Sequence, residues 1–474
     1  MSLPPAAVAP RPAGQKPNVL IFFTDQQRHD TTGIHGNPLG LTPHFDRLAK
    51  AGTHVANSFT CQPVCGPARS CLQTGNYATQ TGVWKNGIAI RPDDPTIAKA
   101  FSAAGYHTGY IGKWHLGERG QHGPVQKELR AGWQHWLAAN AIEHTSDAYQ
   151  TRLWDNDNNP VDLYGYRVDA QTDVGLDYIK QRRDEPFMLM VSYLEPHHQN
   201  HRDDYPAPDG LAELYQGRWT PPDLAALPGH PDSKCAGITG GTAQRDLAGY
   251  YGMVRRLDEA LGRFYDALKS MGLLENTIIL FTSDHACNFR TRATEYKRTC
   301  HESSIRVPTM FHGPGFMGGG ERPELVSLVD LPATLMDAAG VKPLAPTAGR
   351  SLMPVLRRES ADWPDHVYVQ ISEAGTGRTV RTKRWKYCVM ADRDEEDGNG
   401  GAKVYKEAFL YDLAADPYEL DNRIGMAVHR QAADALKARL LAKMKELGEP
   451  DCTIINAEEK HSGQYEVRPD EATA

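Results

Sequence analysis

The chain has no apolar run long enough to cross a bilayer: stretches such as Asn18–Phe23 and Phe187–Val191 fall far short of the ~20 residues a membrane helix needs. It has no basic excess either. Lys and Arg number 52 against 59 Asp and Glu, and the net charge of −7 argues against a broad nucleic-acid surface. An anionic substrate must therefore meet a local cationic cluster. Cysteines are few, eight in 474 residues, too sparse for a disulfide framework and in keeping with a reducing cytoplasm. Residues 1–16 lack the basic and apolar regions of a secretory signal and read as a flexible Pro/Ala leader. Repeats and low-complexity tracts are missing too. What remains is ordinary globular composition, 40% hydrophobic and 23% charged, which suffices for a sizeable core. At ~150 residues per domain the length alone suggests about three domains.

Strand-like apolar runs alternate with amphipathic helices, the pattern of a largely parallel sheet covered on both faces. Asn18–Thr24 reads as a buried strand ending at Asp25. Pro43 opens a helix that Gly52 closes, and the same grammar recurs from Pro95 to Gly105. Strands are expected at His107–Ile111, Phe187–Tyr193 and Thr277–Phe281, and helices near Val168–Arg182 and Gln244–Met271. Titratable residues follow several of these strands, at the ends where open α/β sheets place ligands. Beyond residue 360, Val367–Ile371, Val380–Met390 and Ala408–Leu413 read as antiparallel strands. A helix near Ala432–Leu447 presents Leu436, Leu440, Met444 and Leu447 on one face. The expected division is a large α/β domain at 17–360, a sheet-plus-helix subdomain at 361–448 and a polar tail at 449–474. Gly313-Pro-Gly-Phe-Met-Gly318 satisfies a nucleotide-loop pattern, but Pro314 and the absence of a following helix make it a turn.

The most informative segment is Val64-Cys-Gly-Pro-Ala-Arg-Ser-Cys-Leu-Gln-Thr-Gly75. Its Cys-x-Pro-x-Arg core and downstream Leu-Gln-Thr-Gly resemble the type I sulfatases of the alkaline phosphatase superfamily. An isolated match of that size also suits a buried structural cysteine at a helix start, so the distant motifs decide. Thr24-Asp-Gln-Gln-Arg28, Gly112-Lys-Trp-His-Leu-Gly117, Pro196-His197, Thr282-Ser-Asp-His285 and Lys297 ahead of Arg306-Val-Pro308 follow in the family's order. Ser327–Leu335, Val380–Lys383 and Leu410–Glu419 carry the resemblance to about Asn422.

The resemblance implies a large, mixed, mostly parallel sheet sandwiched by helices, with a smaller C-terminal antiparallel sheet and helix. It implies oxidation of Cys65 to formylglycine by a formylglycine-generating enzyme. One divalent cation would be held by Asp25, Gln26, residue 65, Asp284 and His285, with calcium first and manganese or magnesium as alternatives. Arg69, one helical turn from Cys65, and Lys113 would stabilise the hydrate. Lys297 and His197 would hold sulfate and assist the leaving group, and His115 would be the base that regenerates the aldehyde. His301, where the family often has Tyr, joins Lys113, His197 and Lys297 as a substrate contact. Gln26 and His285 replace the commoner Asp and Asn, lowering the site's anionic character. They also resemble the phosphonate monoester hydrolases, the alternative reading; a non-catalytic binder of sulfated ligands is a third. The implied partners are a small or saccharide sulfate ester and the maturation enzyme, with neither nucleic acid nor membrane, and homo-oligomerisation stays open. The stretch from Asn140 to Arg167, with Tyr149, Trp154 and Tyr164, suits sugar contacts or an ordinary surface loop.

Overall fold

A computed structural model describes residues 16–460 and 467–471, so the leader, apart from Lys16, lies outside the described residues. The first sheet contains β1 (Asn18–Thr24), β2 (Thr53–Phe59), β3 (His107–Lys113), β4 (His135–Ala139), β5 (Gln150–Trp154), β6 (Pro160–Tyr164), β7 (Phe187–Ser192), β8 (Thr277–Ser283), β9 (Met310–His312) and β10 (Gly320–Ser327). Their order is β10-β2-β9-β8-β1-β7-β3-β4-β5-β6. Only β9 and β5 run against the rest, so the sheet is mixed and mostly parallel.

Strand alternation builds two cores from the same residues. Val19, Ile21 and Phe23 of β1 face one side, with Met188, Met190 and Leu280; Leu20 and Phe22 face the other, with Leu189, Val191 and Phe281. The longer helices α1 (Pro43–Ala51), α2 (Cys65–Thr74), α3 (Ile97–Ala103), α4 (Arg167–Gln181), α5 (Ala243–Ser270) and α6 (Asp330–Ala339) cover these faces. Leu257, Leu261 and Phe264 of α5 seal one side; Ala68 and Leu72 of α2 and Phe101 of α3 seal the other. Helix α3 starts later than the Pro95 pattern suggests, because the Thr96 side chain accepts the Lys99 amide and caps it there.

The second sheet contains β11 (His366–Ile371), β12 (Gly377–Thr382), β13 (Trp385–Met390), β14 (Val404–Asp412) and β15 (Thr453–Ile455), with α7 (Arg430–Glu446) packed on it. Val380–Met390 is thus two antiparallel strands, not one, reversed at Lys383 and Arg384. The tail assignment also needs correcting from its first residues. Glu449 pairs with Arg378 and accepts from Tyr368 and Gln370, and β15 joins the sheet parallel to β14. The hydrophobic core runs on from the first sheet into this one, through Tyr368, Trp385, Leu436 and Leu440. Among the described residues, no helix is long and apolar enough to cross a membrane. The Gly313–Gly318 pattern is the turn between β9 and β10, with Gly313, Gly315 and Gly318 at positive φ.

Candidate active site

Four parallel strands deliver their C-terminal ends to one place. Strand β1 leads into Asp25 and Gln26, β3 into Lys113 and His115, β7 into the loop with His197, and β8 into Asp284 and His285. Helix α2 brings Cys65 as its first residue and Arg69 one turn later. Val64 offers this helix no side-chain cap; instead Asn86 Oδ1 accepts the Gly66 amide at 2.9 Å. Lys297 enters from the loop after β8.

Around the Cys65 Sγ lie Lys297 Nζ at 3.0 Å, His285 Nε2 at 3.3 Å, Lys113 Nζ at 3.7 Å and Asp25 Oδ1 at 3.7 Å. The thiol is buried, which by itself would raise its pKa, but Lys113, Lys297 and His285 hold it well below the ordinary cysteine range. Asp25 Oδ2 takes both Arg69 Nη2 at 2.9 Å and Lys113 Nζ at 2.8 Å. Burial and the thiolate would push its carboxyl up, yet Lys113, His197 and Arg69 keep it below the usual carboxylate range.

The donor set fits a divalent cation. Ligand atoms of Asp25, Cys65, Asp284 and His285 all lie within 4.8 Å of one another, and all four residues are buried. Asp284 Oδ2 is closed to water with no hydrogen-bond donor, only the Arg69 charge 3.2 Å away. Burial, then Asp25, pushes the Asp284 carboxyl up to about 6, as two buried carboxylates without enough positive charge require. His285 Nδ1 lies 3.0 Å from the Ala286 carbonyl, so it carries the proton and Nε2 is free to ligate. Gln26, at φ 66°, donates Nε2 to the Tyr205 hydroxyl at 3.1 Å, which turns its Oε1 towards the cluster, 3.5 Å from Lys297 Nζ. The mixed oxygen and imidazole chemistry suits a hard or borderline ion.

Two further histidines flank this cluster. His197 gives its Nδ1 proton to the His198 carbonyl at 2.6 Å, so Nε2 accepts from Lys297 Nζ at 3.0 Å. His115, at φ 61°, lines a cavity of about 300 Å³ with Asn140, Glu143, Arg119 and Asn200. Glu143 was not anticipated: it sits in a one-turn helix after β4 and pairs with Lys113 at 3.0 Å. Tyr205 and Asn86 likewise fall outside every motif.

His301 stands apart from this group. Its Nε2 meets the Tyr411 hydroxyl at 3.1 Å, its ring packs on Phe409, and it lines a separate cavity of about 550 Å³ between the two sheets. The chain turns between Lys297 and His301 at Arg298, whose φ is 71°, and the His301 ring lies against Phe409 and Tyr411 of β14. Arg202 and Arg290, near the motifs in sequence, are tied to Asp147, Asp204 and Asp203.

Comparison with known proteins gives the family of the chain. The family model described as Sulfatase matches residues 17–341, and that of the N-sulphoglucosamine sulphohydrolase C-terminal region matches 295–446. The chain is similar to an ulvan-active sulfatase of Formosa agariphila, 29% identical over 92% of this chain and 82% of that one. An arylsulfatase of Clostridium perfringens is 28% identical over 91% and 95%. A structure solved with D-glucosamine-2-N,6-O-disulfate superposes with a TM-score of 0.78 at 23% identity, covering 92% of this chain and 98% of that one, a likeness of fold. The chain belongs to the sulfatase family of the alkaline phosphatase superfamily and is a sulfuric ester hydrolase.

Proposed function

We propose that the site hydrolyses the O-sulfate ester of a saccharide, with Cys65 matured to formylglycine as the reacting residue. The observation that carries this reading is the convergence of Lys297, Lys113 and Arg69, all buried, around residue 65 in a protein of net charge −7. A hydrated formylglycine would supply an oxygen nucleophile; Asp25, Gln26, Asp284 and His285 would hold a divalent cation, for which calcium or manganese suits the donors, and its charge would lower the pKa of that hydroxyl.

The chain's own residues divide the remaining work. Lys113 is clamped between Asp25 at 2.8 Å and Glu143 at 3.0 Å; these partners, against its burial, hold its pKa above the ordinary lysine range. Lys113 and Arg69 are therefore fixed charges that stabilise anionic oxygens, not proton donors. Lys297 and His197 share a proton 3.0 Å apart, and this pair holds the sulfate group and protonates the leaving oxygen. His115, at the mouth of the cavity, takes the hydroxyl proton of residue 65 that must leave for sulfate to depart.

The lining favours a sugar over a flat aryl group. His144 lines both the His115 cavity and a second cavity of about 610 Å³ bordered by Arg152, Asp162 and Tyr164, a residue 88% exposed. Polar groups with an open aromatic face match a saccharide's hydroxyls and apolar ring face. The relatives active on ulvan and bound to a sulfated glucosamine support the same class. Matched sulfate and phosphonate monoesters, with a panel of sulfated mono- and oligosaccharides, test the reading on metal-loaded enzyme. We expect sulfate esters to be preferred and at least one saccharide to exceed 4-nitrophenyl sulfate in kcat/KM. A preference for the phosphonate, or for the aryl ester over every saccharide, contradicts it.

A further inference from the structure

Glu143 is a buried acid outside every motif, 2% exposed, beside the reacting residue. Its place is fixed by a buried polar lattice. The Glu143 carbonyl accepts from Gln199 Nε2 at 2.8 Å, Gln199 Oε1 accepts from Arg167 at 3.3 Å, and Arg167 Nε donates to Glu195 at 2.8 Å. Arg167 and Glu195 are fully buried, so this support has little freedom to move.

The Glu143 carboxylate reaches two members of the site from one oxygen. Oε1 is 3.0 Å from Lys113 Nζ and 3.8 Å from His115 Nδ1. His115 Nδ1 and Glu143 Oε2 are both closed to water, and neither has a hydrogen-bond partner. With Nδ1 3.8 Å from the Glu143 carboxylate, a small rotation of the imidazole brings the two into contact, and catalytic hydrogen bonds commonly tighten when substrate binds. A carboxylate that accepts from Nδ1 fixes the ring in the tautomer whose Nε2 is an acceptor, and it favours the imidazolium that forms.

We propose that Glu143 is a positioning residue of this active site: it accepts the Nδ1 proton of His115 as a hydrogen bond, leaving His115 Nε2 as the acceptor in sulfate release. This rests on the reading of residue 65 as formylglycine and of His115 as the base. In that step the hydroxyl proton of residue 65 moves to His115 Nε2. The O–H electron pair becomes the C=O bond, and the C–O bond to the sulfuryl group breaks with its pair going to sulfate. Glu143 touches none of the reacting atoms; it acts through His115, while Lys113 keeps its pairing to Asp25.

The test uses the full chain as wild type, E143Q, H115N and the double variant, each checked by mass spectrometry for formylglycine at residue 65. Phenol release from 4-nitrophenyl sulfate is followed by rapid mixing. For E143Q we expect kcat to fall about 10–100-fold with KM within about threefold. The first turnover should stay fast, giving a burst of one phenol per site before the slow steady state. The double variant should be no slower than H115N, because both changes remove one function. E143D, which keeps the charge one methylene short, should recover part of kcat and carries the test if E143Q does not fold. An effect on KM alone, a slowed kcat without a burst, or additive losses overturn the proposal. Wild-type enzyme that turns over no sulfate ester defeats the functional reading and this proposal together; active wild type with an indifferent E143Q defeats this proposal alone.

Discussion

Among the described residues, one cluster of buried charge surrounds Cys65 and another lies where the two sheets meet, and their acids differ in how completely they are satisfied. At the junction Glu302 takes Lys386 at 2.8 Å and Arg381 at 3.3 Å, while Glu419 takes Lys386 at 2.5 Å and the Glu302 amide at 2.7 Å. Neither acid has an unpartnered buried oxygen. Around Cys65, by contrast, Asp284 Oδ2, Glu143 Oε2 and His115 Nδ1 are buried without hydrogen-bond partners. A structural charge network closes on itself because every open lone pair under burial costs free energy. A site that must take up a cation and an anion keeps open lone pairs and donors instead, and the surrounding fold bears the cost. For these acids the difference supports the proposed division between charges that hold the subdomain in place and charges that act.

That contrast can be broken at the junction first. Lys386→Met leaves Glu302 and Glu419 facing each other with one cation fewer, and we expect a loss of about 3–5 kcal/mol in chemical denaturation. The kcat of the folded fraction should stay near wild type, since Lys386 lies outside the Cys65 group.

Acid sharpens the same contrast at the site. Burial would raise the Glu143 carboxyl, but Lys113, His115 and His197 hold it at about 2 instead of the ordinary 4.5. The folded pKa is lowered, so this stabilisation is full above 4.5 and lost as pH falls towards 2. The linkage amounts to at most about 3 kcal/mol. Denaturation curves across that window should be less steep in pH for E143Q than for wild type.

Chelation addresses the open carboxylates directly. At a free cation concentration of about 100 Kd, removing the ion should cost about 2.7 kcal/mol. A chelator should lower the melting temperature of wild type but leave Asp284→Asn nearly unmoved, and equal shifts would contradict the assignment of Asp284 as ligand. The smallest effect is expected at the cavity rim. Tyr164→Ala should raise KM for sulfated oligosaccharides about fivefold, on the order of 1 kcal/mol, with little change for 4-nitrophenyl sulfate.

Much of this was legible in the sequence because each piece is local. Asp25, Lys113, His197 and Asp284 follow strands whose apolar runs are plain, and parallel strands bring their C-terminal ends together without further information. The Cys65 to Arg69 spacing is one helical turn. Glu143 carries no such mark: it sits in a four-residue turn, and its meaning comes from a Lys113 that is thirty residues away in sequence. His301 misleads for the opposite reason, since nearness to Lys297 in sequence is undone by one turn that swings it to Tyr411. Lys383 and Arg384 reverse the chain without glycine or asparagine, so the β12–β13 hairpin reads as one strand. Glu449 looks like surface charge until Arg378 is seen buried beneath it.

The account rests on Cys65 as the precursor of the reacting group in a sulfate-hydrolysing site. Mass spectrometry of the peptide spanning Cys65, on enzyme from its native host shown to release inorganic sulfate, tests this most directly. The account predicts formylglycine at residue 65 in proportion to activity across preparations, and no turnover from Cys65→Ala. Full activity with an unmodified thiol, or turnover retained by Cys65→Ala, would contradict it.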